Sequence, residues 1–379
     1  MKIIIAPDKF KGSLTSAEVC SCIEQGIHVA DKSIDVLSFP MADGGDGFAS
    51  VMQHYTQTET IECITVDPLH RPIKASYQWN SFHKTAIIEL AAASGLILLK
   101  PGERNPMKTS TYGTGLLIKD AITKGAKKII VGIGGSATND AGTGILSALG
   151  FIMTDADDKP LPASGENLLL IEKIIVPTSL PAMQFDIACD VGNVLYGPNG
   201  AAFIYGPQKG AVKEQIILLD KGLRHFAEIT ASQTNIHIAD KKGSGAAGGI
   251  AAGLLPFLKA ELKQGTQIVI EASNIKNALQ HTDLIITGEG KIDGQSKDGK
   301  LISSIALLAK EKQIPVIGIC GSLELNNEEI KELGLTYAYE MMNRSLPLEY
   351  SIKNAADLLR KKIADVMAAF VLRDSFPQI

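Results

Sequence analysis

Ile129-Ile130-Val131-Gly132-Ile133-Gly134-Gly135-Ser136-Ala137-Thr138-Asn139-Asp140-Ala141-Gly142 runs from an apolar segment into a glycine-rich turn set with polar side chains. Ile129–Val131 reads as a buried strand, and Gly144 to Leu149 as the helix that follows. Such a turn presents bare backbone N–H groups at a helix N-terminus, a geometry suited to an anion and most often a phosphate. A tight turn with a helix cap favours the same residue types. The choice between the two readings falls to the rest of the chain.

Both ends of the chain show the alternation of a parallel sheet. Lys2 to Ala6 is a continuous apolar strand ending in Pro7-Asp8-Lys9-Phe10-Lys11-Gly12-Ser13. Thr15 and Glu18 form a capping-box pattern for a helix through Ile27. Asp35 to Phe39 is the next strand, ending in Pro40-Met41-Ala42-Asp43-Gly44-Gly45-Asp46-Gly47. Near the C-terminus, Asp283–Thr287 and Val316–Gly321 are strands around a Leu301–Lys310 helix. A final amphipathic helix carries Ile352, Leu359, Ile363 and Phe370. Between the ends, Glu62–Val66, Ala75–Trp79 and Ala86–Leu90 alternate like half-buried strands. The fold expected is α/β: a doubly wound domain from 1–62 together with 260–379, and a second α/β domain, 63–259, inserted into it. The active site is expected in the cleft between them.

Composition narrows the function. The chain has 379 residues, a net charge of −4 and only 5% aromatic residues, with no basic run. These argue against nucleic acid as a partner. The five cysteines form no C-x-x-C pair, so reduced thiols and a cytoplasmic location are expected. The apolar start is too short for a signal peptide, and no run is long enough to span a membrane.

Carboxylates gather where strands end: Asp8, Asp43, Asp190 and Glu289, each flanked within two residues by glycine or lysine. In open α/β sheets ligands bind just past the carboxyl ends of strands. Phosphoryl transfer to an alcohol needs one carboxylate to take the hydroxyl proton and others to hold Mg²⁺ at the nucleotide phosphates. It also needs cations, and Lys9, Lys11 and Lys209 are available. The bland alternative is that such aspartates cap helices and shape turns. Arg71, Arg104, Ser94 and Thr111 lie in middle-segment loops as candidate contacts for a small anionic substrate; an arginine can fork onto a carboxylate. Gly132-x-Gly134-x-x-Ala137 and Gly243-x-Gly245-x-x-Gly248 match the dinucleotide pattern, which leaves a hydroxy-acid dehydrogenase as one rival. A non-catalytic sugar-acid binding protein is another. Gly294-x-x-x-x-Gly299-Lys300 imitates a P-loop, but Leu301 replaces the Mg²⁺-binding Ser/Thr and no direct strand precedes it.

Taken together these motifs resemble the bacterial-type glycerate kinases, the glycerate 2-kinases. The resemblance rests on Ala6–Ser13, Pro40–Gly45, Ala93–Leu96, Thr109–Gly115, Gly134–Asp140, Ala188–Val191, Gly206–Ala211 and Gly288–Asp293. It covers nearly the whole chain, in order. It implies ATP-dependent phosphorylation of D-glycerate with Mg²⁺, normally to 2-phosphoglycerate, and a flavodoxin-like domain with a distinct α/β domain. Asp46, Phe48, His70, Ala141 and Val194 depart from the pattern; glycine is usual at 70 and at 141. On this reading Asp190 is the base, with Lys9 and Lys11 also catalytic. Asp8, Arg71, Ser94 and Thr111 contact substrate. Gly134, Gly135, Ser136, Lys209 and Gly290 contact the nucleotide phosphates, and Asp43 and Glu289 hold the metal.

Overall fold

The structure, a computed structural model, describes residues 1–297 and 301–373. The chain divides into two compact units, Met1–Asp43 with Thr266–Ile379, and Gly44–Gly265. It enters the first through β1 (Lys2–Pro7) and β2 (Asp35–Ser38). It crosses the second as β3 (Glu59–Val66), β4 (Pro72–Asn80), β5 (Thr85–Glu89), β6 (Lys128–Gly132), β7 (Ile152–Thr154), β8 (Lys173–Ile175), β9 (Gln184–Ala188) and β10 (Glu261–Lys263). It returns to the first for β11 (Leu284–Ile292), β12 (Val316–Leu323) and β13 (Tyr337–Glu340).

The first unit holds a five-stranded sheet in the order β13-β12-β11-β1-β2, parallel throughout. Counted within the unit this is 2-1-3-4-5, the flavodoxin-like order, whose switch point lies between β1 and β11. The apolar run Ile3-Ile4-Ile5 is fully buried, as a strand covered on both faces requires. Thr15 and Glu18 form the capping box that starts the Ser16–Ala30 helix. That helix packs on the Ala355–Arg373 helix, and Val19, Ile23 and Ile27 join Ile3, Ile5, Leu359 and Ile363 in one core. Glycine is needed where the helices meet: a Cβ on Gly26 would lie 2.7 Å from the Arg360 carbonyl oxygen and 2.8 Å from the Ile363 Cβ.

One strand outruns its expected end. β11 continues through Gly288, Glu289 and Gly290 to Ile292, because β12 stays paired with it as far as Ile292↔Leu323. Glu289 and Gly290 therefore lie in a strand, not in a turn. Gly299 and Lys300 of the P-loop-like pattern lie outside the described residues.

The second unit is built on the mixed sheet β10-β9-β6-β5-β4-β3. β3, β4 and β5 are antiparallel neighbours, whereas β5, β6, β9 and β10 run parallel. β7 and β8 form a separate hairpin. The first junction falls after Asp43 rather than near residue 62, because the Phe48–Tyr55 helix packs on β4 and β5 of this unit. The second falls at Gly265. The Tyr112–Thr123 and Thr143–Ala148 helices pack closely through Gly115 and Gly144. A Cβ on Gly144 would sit 2.4 Å from the Tyr112 backbone nitrogen.

The helix crossing in the first unit makes a quantitative test. Gly26→Ala gains about 1 kcal/mol of helix propensity. It also forces a methyl against backbone, and overpacking costs about 1–3 kcal/mol. The variant should be less stable than wild type by about 1 kcal/mol in urea unfolding. An unchanged or raised midpoint would show that the two helices separate freely.

Candidate active site

Within the first unit, charged side chains collect at the β1/β11 switch point. Asp8 follows β1, its N–H donating to the Gly288 carbonyl at 2.8 Å, while Glu289 is the next residue of β11. Asp43 follows the loop after β2. Lys9 Nζ stands 3.9 Å from an oxygen of Asp8 and 3.9 Å from one of Asp43. Asp8 is only 7% exposed. Burial, and then the negative charges of Asp43 and Glu289, push its carboxyl up to about 7. The Lys9 charge and the Lys9 backbone N–H, which donates to Asp8 at 2.7 Å, pull the other way. Sequence reasoning missed Ser296, a buried hydroxyl that donates to Glu289 Oε1. Lys11 is exposed. A Cβ on Gly290 would meet the Lys11 backbone nitrogen at 3.3 Å, so this glycine lets the post-β1 loop lie on β11. Among the described residues no three His, Cys, Asp or Glu side chains converge as a ready metal cage.

In the second unit the glycine-rich turn after β6 is held on several sides. Gly134 N–H donates to the Gly44 carbonyl and Ala137 N–H to the Ser94 carbonyl. A Cβ on Gly134 would lie 2.4 Å from Gly45 Cα, and one on Gly132 would meet the Phe48 ring at 2.9 Å. Gly248, from the next glycine-rich turn, is pressed on the same segment: its Cβ would fall 2.1 Å from the Thr138 carbonyl oxygen. The glycines of both dinucleotide-like patterns thus serve backbone-on-backbone packing. Gly135, at a φ of 71°, turns the chain into Ser136, which bridges to Gly95.

Asp140 anchors this turn from below. Its buried carboxylate accepts from the Thr111 N–H and hydroxyl, both at 2.8 Å, and from the Gly144 and Gly142 N–H groups at 3.2 and 3.3 Å. Burial pushes its carboxyl above the ordinary range, and those donors pull it back. Lys209 is 2% exposed. Its ammonium donates to Ser136 Oγ at 2.8 Å and to the Thr138 carbonyl at 2.6 Å. Burial drives its proton affinity down to about 7, and the Asp140 charge pulls it back up.

Several expected contacts are engaged inside the protein. The Ser94 hydroxyl pairs with Thr114 Oγ1 at 2.7 Å, and the Thr111 hydroxyl with Asp140; both residues are fully buried. Their positions after apolar strands read as loops, whereas Ser94 ends a short helix and Thr111 caps another. Arg71 is taken up by Asp67, Glu103 and the Leu98 carbonyl. Lys209 forms part of the frame that holds Ser136. Asp190, just past the end of β9, is half-buried.

A model of the glycerate kinase family matches residues 3–371. The chain is 42% identical to a glycerate kinase of Haemophilus influenzae over 95% of this chain and 94% of that one. It is 39% identical to a glycerate kinase of Bacillus subtilis and to the glycerate 2-kinase of Escherichia coli K12, each over 98% of both chains. A crystal structure from Salmonella typhimurium LT2, described as that of a glycerate kinase 2, superposes with a TM-score of 0.84 at 39% identity, covering 99% of each chain. By fold and by these matches the chain is an α/β phosphotransferase. It belongs to the glycerate kinase family, which displaces the dehydrogenase and binding-protein readings. No described helix is long and apolar enough to cross a membrane.

Burial of Lys209 predicts a pH dependence. The folded chain releases this proton near 7, whereas the unfolded chain keeps it to about 10.5. Between those values the unfolded state binds more protons, so this group makes stability rise with pH and lowers it as pH falls towards 7. Lys209→Met should flatten that rise in urea unfolding between about pH 7 and pH 10. Near pH 10, where the wild-type amine carries little such cost, it should lower stability by leaving Ser136 Oγ and the Thr138 carbonyl unpaired. Equal pH slopes for the two proteins would place the ammonium in water.

Proposed function

We propose that this chain transfers the γ-phosphoryl group of ATP to the 2-hydroxyl of D-glycerate, giving ADP and 2-phosphoglycerate. The observation that carries this reading is the cluster of Asp8, Asp43 and Glu289 with Lys9 at the switch point of the first sheet. Burial first, and then the charges of Asp43 and Glu289, push the Asp8 carboxyl up to about 7. A surplus of negative charge around one lysine suits a divalent cation. Mg²⁺ typically takes only one or two protein carboxylates, with phosphates and water filling the rest of its shell.

On this reading Asp43 and Glu289 hold Mg²⁺, which would neutralise charge on the phosphates. Lys9 and the exposed Lys11 contribute positive charge to the transferring group. Asp8 shares Lys9 with Asp43, each carboxylate standing 3.9 Å from its ammonium. Ser136 and the Gly134–Gly135 backbone, kept in shape by Lys209 and Asp140, bind phosphate or substrate oxygen. Asp190 accepts the hydroxyl proton as the glycerate oxygen bonds to phosphorus and the bond from phosphorus to ADP breaks.

Phosphorus NMR of the product formed from ATP and D-glycerate tests reaction and regiochemistry together. The expected product is 2-phosphoglycerate; 3-phosphoglycerate would move the acceptor to the other hydroxyl, and no product would remove the reading. Asp190→Asn should lower kcat by about 100-fold or more while ATP binding, followed by calorimetry, is kept. Turnover near wild type would take the proton-accepting role away from Asp190.

A further inference from the structure

Two arginines lie in second-unit loops as candidates for an anionic substrate, and the structure treats them differently. Arg71 is saturated: Nε and both terminal nitrogens donate to Asp67, Glu103 and the Leu98 carbonyl. The Arg104 guanidinium makes no hydrogen bond or ion pair with any described residue, and its Nε is buried without an acceptor. The residue as a whole is only half-buried, so the outer edge of the fork is open to solvent.

A buried cationic N–H with no acceptor is unfavourable and rare in a native protein. It persists only where the surrounding backbone holds it in place, and that backbone is fixed here. Arg104 N–H donates to the Pro101 carbonyl, and Gly210 lies so close that a Cβ on it would fall 2.3 Å from the Arg104 carbonyl oxygen. Gly210 follows Lys209, which holds Ser136 and Thr138. Five residues after Arg104, the Thr109 hydroxyl donates to the Ala137 carbonyl. Arg104 is thus tied through two connections to the glycine-rich turn. The same turn carries further unsatisfied buried groups, Thr138 Oγ1 and both side-chain polar atoms of Asn139.

We infer that Arg104 is the anchor for the carboxylate of the small hydroxy-acid substrate. The two terminal nitrogens, which are not buried, would receive the two carboxylate oxygens as a fork, a pairing that guanidinium geometry allows. This assignment rests on the glycerate reading above and deepens it. It makes the carboxylate, not the hydroxyls alone, the feature the enzyme selects, so glycerol and glyceraldehyde are poor acceptors.

The test compares wild type, Arg104→Lys and Arg104→Met on D-glycerate and on glycerol. Arg104→Met should raise KM for D-glycerate by about 100-fold or more. KM for ATP should stay within about two-fold, as expected for loss of a ground-state contact to one substrate alone. Arg104→Lys should fall between, since it keeps charge but loses the fork, and added guanidinium should restore part of the loss in Arg104→Met. In wild type, D-glycerate and not glycerol should slow modification of Arg104 by phenylglyoxal, mapped by mass spectrometry. That arm does not depend on how the variants fold. Wild type that phosphorylates glycerate while Arg104→Met keeps its KM, or while Arg104 gains no protection, would overturn this assignment alone. Wild type inactive on glycerate would overturn the underlying reading instead.

Discussion

The Asp140 carboxylate faces the start of two helices at once. Thr111 caps the Tyr112–Thr123 helix and Gly142 the Thr143–Ala148 helix, and the N–H groups of Thr111, Gly142 and Gly144 all point to this one side chain. A carboxylate there meets the positive ends of both helices while satisfying N–H groups that would otherwise lie buried and unpaired. It also lets the helices approach through Gly115 and Gly144. The chain between Gly132 and Asp140 then has fixed ends, and Lys209 fixes its middle. An asparagine of the same shape would bring two donors to a place that supplies only donors, so the position calls for an acid.

Much of the frame was legible because it follows from period and composition. The continuous apolar runs at Ile3–Ile5 and Leu284–Ile286 gave buried parallel strands, and Thr15 with Glu18 gave a capping box that the structure contains. The end of β11 was not legible. Gly288 and Gly290 look like turn residues, and only pairing with β12, remote in sequence, keeps them extended. The burial of side chains was less legible still. Ser94, Thr111 and Lys209 are polar residues beside or near glycines, and nothing local says that they are buried. Their burial depends on which distant carbonyl or hydroxyl meets them, as Thr114 meets Ser94.

The glycines divide by the same logic. Those at 132, 134, 144, 245 and 248 are required by close approach, because any side chain would collide with backbone or with Phe48. Two non-glycine residues show the other requirement. His70 and Ala141 both adopt left-handed backbone, with φ of 62° and 53°. A glycine at these positions would answer a demand for positive φ. His70 meets it at modest cost, since histidine is among the residues tolerated there. It sets its ring 5.6 Å from that of Tyr112. Ala141 is held by its N–H bond to the Gly248 carbonyl.

Burial also sorts the cations by task. A lysine in contact with a polyphosphate must remain charged and reach solvent. Lys209 is buried, with its nitrogen bonded to Ser136 and to the Thr138 carbonyl. Burial lowers its proton affinity, and the Asp140 charge pulls it back up. Lys9 is held between two carboxylates and is suited to balancing their charge. Lys11 is exposed, and Arg104 is the guanidinium left without a partner in the described protein. The carboxylates of the first unit therefore call for positive charge from metal and lysine, while the arginine beside the Gly132–Gly142 turn calls for a negative group. A nucleotide phosphate bound through a cation answers the first demand, and a substrate carboxylate answers the second. On the proposed reading a kinase acting on a hydroxy acid answers both demands, which a kinase acting on a neutral alcohol would not.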